Sequence, residues 1–368
     1  MGINLAGIVF ANLYDDKLPE LTARRTMGSV PFGGKYRMVD FTLSNMSNSG
    51  INNVALVTRK NFHSLMDHVG SGAAWDLSKR RTGLVLLPPY GGNSFENRIE
   101  SLYHIHGYIE NLTEEYILLA SADNAANIDY QKMFEYHLKS EADITILYKN
   151  MEIPENSKAL VVLDMNEAGR ITKMLIDPKI TEPCKCFTDS IIISRALLLN
   201  LVHECMSLNT VNFKKHLLQN NVDKLKIYGY EFTGHYSVIS SLSSYYKENM
   251  KLMRPEVRAE LFNPQRPIYT KVRDDAPCRY GLTSKVKGSL VSQGCVIDGE
   301  VENSILSKGV HIAKGAKVKN CIIMQDTKIG AGAELEYVII DKDCVVTDRR
   351  KLSGCETYPM YIAKQTTV

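Results

Sequence analysis

A short block near the C-terminus recurs with a fixed period. Asn303-Ser304-Ile305-Leu306 returns as Asn320-Cys321-Ile322-Ile323 and again as Tyr337-Val338-Ile339-Ile340, each copy 17 residues on. In phase with it, Ile312 returns as Ile329, Gly315 as Gly332, Ala316 as Ala333 and Val318 as Leu335. An earlier copy at 289–294 aligns with 304–309 at an offset of 15. So short a period leaves no room for a helix in each unit, and no 3.6-residue pattern runs through it. A unit of this size cannot bury its apolar residues alone, so the units must stack. Small or β-branched residues recur at inward positions and glycine at corners. The pattern predicts a short, left-handed parallel β-helix with about three faces per coil. An irregular β-sandwich is the alternative.

The preceding two-thirds behave differently. Apolar, often β-branched runs at 3–10, 53–58, 84–87, 116–121, 143–148, 160–164 and 190–194 read as strands buried on both faces. Helical spacing recurs between them, at 41–49 ahead of Gly50, at Ile99, Leu102, Ile105 and Ile109, at 130–139 and at 195–206. Alternation of β and α predicts an α/β fold with a Rossmann-like, mostly parallel, doubly wound sheet. Pro255, Pro264, Pro267 and Pro277 interrupt any long element after that. The expected division is an α/β domain over 1–250, a linker over 251–285 and the β-helix over 286–368.

Bulk properties narrow the function classes. A net charge of +3 on 368 residues argues for neither a nucleic-acid nor a membrane partner. No apolar run approaches the ~18 residues of a spanning helix, and the N-terminus has no signal-peptide pattern. The expected compartment is the cytoplasm, with the eight cysteines as thiols. Cys184 and Cys186 form a C-x-C pair but lack a second pair at zinc-site distance, so the spacing reads as chance.

The first strand then poses a problem. A nucleotide-binding chain would follow it with glycines, because only glycine lets backbone N–H groups close on phosphate oxygens. Here come Ala11, Asn12, Leu13, Tyr14, Asp15 and Asp16, with no glycine and two carboxylates where an anion should sit. About twenty residues on lies a very specific string, Val30 to Asn53 (VPFGGKYRMVDFTLSNMSNSGINN). With His63 to Gly70 (HSLMDHVG), Leu86-Leu87-Pro88-Pro89 and Asp129-Tyr130-Gln131-Lys132-Met133, it resembles the bacterial glucose-1-phosphate adenylyltransferases, the ADP-glucose pyrophosphorylases of glycogen synthesis. The resemblance runs over nearly the whole chain and implies a nucleotidyltransferase domain followed by a left-handed β-helix.

The reaction it implies is attack of the glucose 1-phosphate oxygen on the α-phosphorus of ATP with loss of pyrophosphate. Such chemistry needs positioning, a carboxylate-held divalent ion and cations on the leaving group. Position by position, this sequence departs from the family. Its Gly-Gly-x-Gly-x-Arg loop is missing. Met27-Gly28 stands where Lys-Pro is expected. The first metal carboxylate survives as Asp123, behind Ala122 instead of glycine. The second position falls at Val238. Glu-Lys-Pro becomes Ile176-Asp177-Pro178, and Gly-Thr-Ala-Asp becomes Asn97-Arg98-Ile99-Glu100. Asn97, Arg98, Glu100, Asp177 and Ser190 are thus remnants of a substrate pocket. Losing a metal ligand and a phosphate-neutralising lysine together should cost on the order of 10⁴-fold in rate.

The resemblance is therefore to the degenerate, D-type subunit of that enzyme, implying a hetero-oligomer, by analogy a tetramer, with a catalytic paralogue; self-association is the fallback. Such a chain needs no cofactor. The second reading is an active nucleotidyltransferase with rearranged ligands, using Mg²⁺ held by Asp15 or Asp16. A basic group, Arg24, Arg25, Lys35 and Arg37, lies within fourteen residues. Relatives use the positions matching Arg24 and Arg37 for phosphorylated effectors, so the four are candidates for an anionic metabolite. Solvated charge or salt bridges are the alternative. His63 and His68 read as structural, Trp75 as loop packing, and His311 as a solenoid residue on too short a solenoid for acyl transfer.

Overall fold

The computed structural model describes residues 3–79, 82–89, 97–153, 160–180 and 182–368. Strands β1 (Leu5–Phe10), β2 (Val54–Val57), β3 (Leu84–Leu87) and β4 (Tyr116–Ser121) form a parallel block in the order β3-β2-β1-β4. Strand β1 is buried along its whole length, as an apolar run covered on both faces must be. After β4 come β5 (Asn124–Ala126), β6 (Ile144–Met151), β7 (Val161–Met165), β8 (Ile171–Ile176), β9 (Cys184–Ser194), β10 (Ile227–Glu231) and β11 (Tyr236–Val238). Long β9 runs antiparallel to β4, β6 and β7, so the nine-stranded sheet is parallel on one side and largely antiparallel on the other. Sequence reading predicted the parallel half and not the second. The register of β9 with β6 shifts between Phe187 and Ile191, and Asp189 inside that bulge has φ +60°. A bulge re-aims the chain and lets one residue leave the ladder.

The helix expected at 41–49 spans Met38–Asn48, one turn earlier, because Asp40 caps the N–H of Arg37. Those at Tyr130–Lys139 and Arg195–Ser207 lie where the periodicity put them.

The C-terminal region is the predicted left-handed β-helix, three parallel five-stranded faces stacked in register. The 17-residue repeat is literal: Ile305 pairs with Ile322, and Ile322 with Ile339. One corner of successive coils holds Gly288, Asn303, Asn320 and Tyr337, all with φ between +45° and +54°. Asparagine tolerates that conformation because its short polar side chain can bond locally, and Asn303 Nδ2 donates to Asn320 Oδ1 at 2.6 Å. Residues 251–285 contain the helix Pro255–Leu261 and, at Arg279–Tyr280, the first solenoid strand.

The solenoid packs on the α/β part through a shared core. Phe32, Phe41, Tyr245 and Leu252 meet Ile305, Ile322, Met324 and Ile339. Polar ties close the seam: Tyr246 Oη donates to the Asn320 carbonyl at 2.8 Å, and Arg25 Nη2 lies 2.7 Å from both oxygens of Asp341.

Candidate functional site

In an open α/β sheet, ligands bind beyond the carboxyl ends of the strands, where the strand order reverses. Here that place is the rim above β1 and β4. The loop after β1 is held by its own polar groups. Asn12 Oδ1 accepts from the Arg59 N–H at 2.8 Å, and Asn12 Nδ2 donates to Lys60 O at 3.0 Å and to Asp15 Oδ2 at 3.2 Å. Asp15 Oδ1 accepts the Met27 N–H at 2.8 Å. Burial pushes the Asp15 carboxyl up to about 6. Asp16 is exposed. The loop is therefore an internally capped turn.

Met27 lies in the core with Leu18, Leu21 and Phe41. Its neighbour Gly28 donates to Ala11 O at 3.0 Å, which draws this segment across the end of β1. A β-carbon on Gly28 would sit 3.4 Å from Ala11 Cβ and 3.5 Å from Ala122 Cβ, ordinary packing distances, so the segment lies close against both strand ends.

Asp123 follows β4 and accepts a short hydrogen bond from Ser121 Oγ. The β5–β11 ladder places Val238 opposite Asn124, one residue from Asp123. The resemblance gives this position to a second metal carboxylate; the side chain here is hydrocarbon. Burial raises the Asp123 pKa, with Lys17 opposing and Asp189 reinforcing. Among the described residues no three His, Cys, Asp or Glu side chains converge as a metal site. Among the described residues, a carboxylate at Asp123 with a valine at position 238 does not fit a magnesium ion.

What fills the rim is an ion cluster that sequence reading missed. Tyr14 Oη donates a short hydrogen bond to Asp189 Oδ2. Lys214 Nζ lies 3.1 Å from that oxygen and 3.0 Å from Tyr14 Oη. Arg98 Nη1 stands 3.8 Å from Asp189 Oδ1. The Arg98 guanidinium carbon lies 4.6 Å from the Phe10 ring centre and 4.2 Å from that of Phe213. Lys17 Nζ caps the other side, 3.7 Å above the Tyr14 ring. Burial would raise the Asp189 pKa, but Lys214 and Arg98 hold it below the usual carboxylate range. Burial depresses Arg98 and Lys17. No local motif marks Asp189, Phe213 or Lys214. The nearest signal was Arg98, a bulky cation where a small residue is expected.

The other pocket remnants are dispersed. Asn97 caps the helix Arg98–His104 by accepting from the Glu100 N–H at 2.9 Å. Exposed Asp177, at φ +51°, closes the end of the β7–β8 hairpin by accepting from Leu160 N at 2.9 Å. Ser190 is buried in β9 beside the Tyr130 hydroxyl.

The basic group divides. Arg25 is buried against Asp341 on the solenoid, which takes it out of the expected anion-binding set. Exposed Arg24 donates to Gln365 Oε1 at 3.1 Å. Lys35 and Arg37 instead line a cavity of about 270 Å³ between the α/β part and the solenoid. Lys271, Arg273, Lys308 and Lys342 join them there, from segments more than two hundred residues away. Arg37 Nη1 is anchored on Ser64 O at 2.6 Å. The Asp275 and Asp326 carboxylates nearby are both held by Arg273. Burial, then Arg37 and Arg25, push Lys342 down to about 7. Buried His68, beside the same cavity, bonds Asp40, in keeping with a structural role. Trp75 is buried and His311 exposed on the solenoid. Cys184 and Cys186 have their sulfurs 3.6 Å apart as free thiols. No helix among the described residues is long and apolar enough to cross a membrane.

A Rossmann-like sheet with its rim at β1 and β4, joined to a left-handed β-helix, is the fold of the nucleotidyl transferase family with a hexapeptide-repeat domain. The sequence matches the nucleotidyl transferase family over residues 7–191 and the GlmU-like C-terminal hexapeptide family over 274–355. It is 35% identical to the glycogen biosynthesis protein GlgD of Bacillus subtilis strain 168, over 98% of this chain and 96% of that one. It is 32% identical to the glucose-1-phosphate adenylyltransferase of Clostridium acetobutylicum, covering 84% of this chain and 83% of the relative. With that of Halalkalibacterium halodurans the identity is 33%, over 85% and 84%. The chain belongs to the glucose-1-phosphate adenylyltransferase/GlgD family of glycogen biosynthesis.

Proposed function

We propose that this chain is a GlgD-type subunit that makes little or no ADP-glucose alone and modulates a catalytic paralogue in a hetero-oligomer. The observation that carries the reading is the β5–β11 ladder, which sets Val238, the residue the family resemblance gives for the second metal carboxylate, opposite Asn124, next in sequence to Asp123. Buried Met27, where a phosphate-neutralising lysine is expected, supports it. The test is ADP-glucose synthesis with Mg²⁺ by this chain alone, by the paralogue alone and by both co-expressed. No rate alone, with a raised rate or altered effector response in the mixture, supports the proposal. Robust turnover by this chain alone overturns it in favour of a rearranged active site.

The modulating role has a candidate site. The cavity of Arg37, Lys308 and Lys342 concentrates positive charge at the seam between the two parts, so an anion there would draw on both. A phosphorylated metabolite is the ligand class. Arg37→Ala in the mixed complex should abolish the effector response; an unchanged response would rule the cavity out.

A further inference from the structure

Four segments distant in sequence meet at the strand rim: the β1 loop with Tyr14, the helix start with Arg98, the β9 bulge with Asp189 and the turn with Phe213 and Lys214. Three of them carry an irregularity. Asp189 holds a left-handed φ of +60°. Residues Phe213–Leu218 form a π-helix, a rare conformation that recurs at functional sites. Arg98 is only 5% exposed, and its guanidinium lies between two aromatic rings. Burying a guanidinium and an ammonium carries a large desolvation penalty, so natural cores rarely do it without strong pairing. Arg98 is paired loosely for so buried a group: its Nη1 is 3.8 Å from Asp189 Oδ1, and Nε and Nη1 make no hydrogen bond among the described residues.

The place matters as much as the pairing. Beyond β1 and β4 is where an open α/β sheet receives its ligand. A planar, delocalised cation flanked by Phe10 and Phe213 has the shape and stacking preference of a planar heterocycle. We infer that Arg98 is a built-in occupant of the nucleotide pocket, latched by Asp189, Tyr14 and Lys214, so that the chain holds a ligand-bound-like arrangement with no nucleotide. This deepens the proposal above and rests on its reading that the chain does not turn nucleotide over. Arg98 then excludes the base, and the latch replaces substrate in tying the β1 loop to β9 and the π-turn.

Thermal melting of the full chain with and without adenosine, which carries no phosphate for the cationic seam cavity, tests this. The wild type should show no shift. Arg98→Ala should melt lower by several degrees, and adenosine should restore about 2–4 °C of that, as expected when a ligand binds only the folded state. Arg98→Gln, which is shorter and uncharged but keeps a polar N–H donor in the core, is the second variant and should respond in the same direction. A shift of the wild type by adenosine equal to that of Arg98→Ala would overturn the inference. So would folded variants indifferent to adenosine, or failure of both variants to fold even with adenosine present, which would make Arg98 a plain core residue. Turnover by the unmodified chain alone would instead remove the proposal it rests on, and the ADP-glucose assay reads that separately.

Discussion

At the scale of single residues, burial decides what each charge does. Arg25 and Asp341 are 4% and 1% exposed and meet at 2.7 Å. Removing one partner strands the other in a dry site. Arg25→Ala should therefore lower stability by about 3–5 kcal/mol, read as a lower urea midpoint, while Arg25→Met with Asp341→Leu should recover most of the loss. A midpoint unchanged by Arg25→Ala would mean that water reaches the pair. Asp15 behaves in the opposite sense. Its carboxyl sits at about 6 in the fold against an ordinary 3.8. The folded state thus holds the proton more tightly, and stability falls as pH rises from about 4 to about 6. A shift near two units corresponds to roughly 3 kcal/mol. Asp15→Asn keeps an oxygen for the Met27 N–H, so it should raise the neutral-pH urea midpoint and flatten that slope. A variant that keeps the wild-type slope assigns it to other groups.

Among elements, the repeat and the bulge stand at opposite ends of legibility. The solenoid corner demands positive φ coil after coil, and Gly288, Asn303 and Asn320 announce it. Asn320→Ala keeps the β-carbon at positive φ but loses the compensating bond from Asn303, so a loss of about 1–2 kcal/mol is expected; Asn320→Gly, which relieves the β-carbon strain, should lose less. Equal losses for the two would show that the corner conformation is not what matters. The 17-residue period could be read because solenoid contacts are local and repeat. The β9 bulge could not, because it depends on which strands flank β9, and nothing at Asp189 records that β4, β6 and β7 all compete for it.

At the scale of the whole molecule, the seam between the α/β part and the solenoid concentrates cations. Lys342, held at about 7 by burial and the nearby arginines, loses charge as pH rises through neutrality. Its folded pKa lies below the unfolded one, so the free protein gains stability as pH rises above about 7. Anion binding runs the other way, because it favours the charged form. Sulfate, whose charge is constant in this range, should bind more weakly at pH 8 than at pH 6 by calorimetry, and Lys342→Gln should remove that dependence. Sulfate affinity independent of pH would place the anion away from Lys342.

Much of this protein is written locally. Alternating apolar runs and helical spacing carry the α/β sheet, a strict period carries the β-helix, and Met27, Asp123 and Val238 carry the gaps at family positions. The sheet and the solenoid depend on near neighbours in sequence, so pattern alone reaches them, while the gaps at Met27 and Val238 are read only against the family resemblance. What the anionic and cationic groups do with one another was decided only by the fold. Arg25 left the expected anion site for Asp341, 316 residues away. Arg37 found Lys308 and Lys342 on the solenoid. Arg98 found Asp189 and Phe213. Electrostatic partners at such separations leave no periodicity, and the energy of a charge depends on the burial and the neighbours that tertiary packing provides.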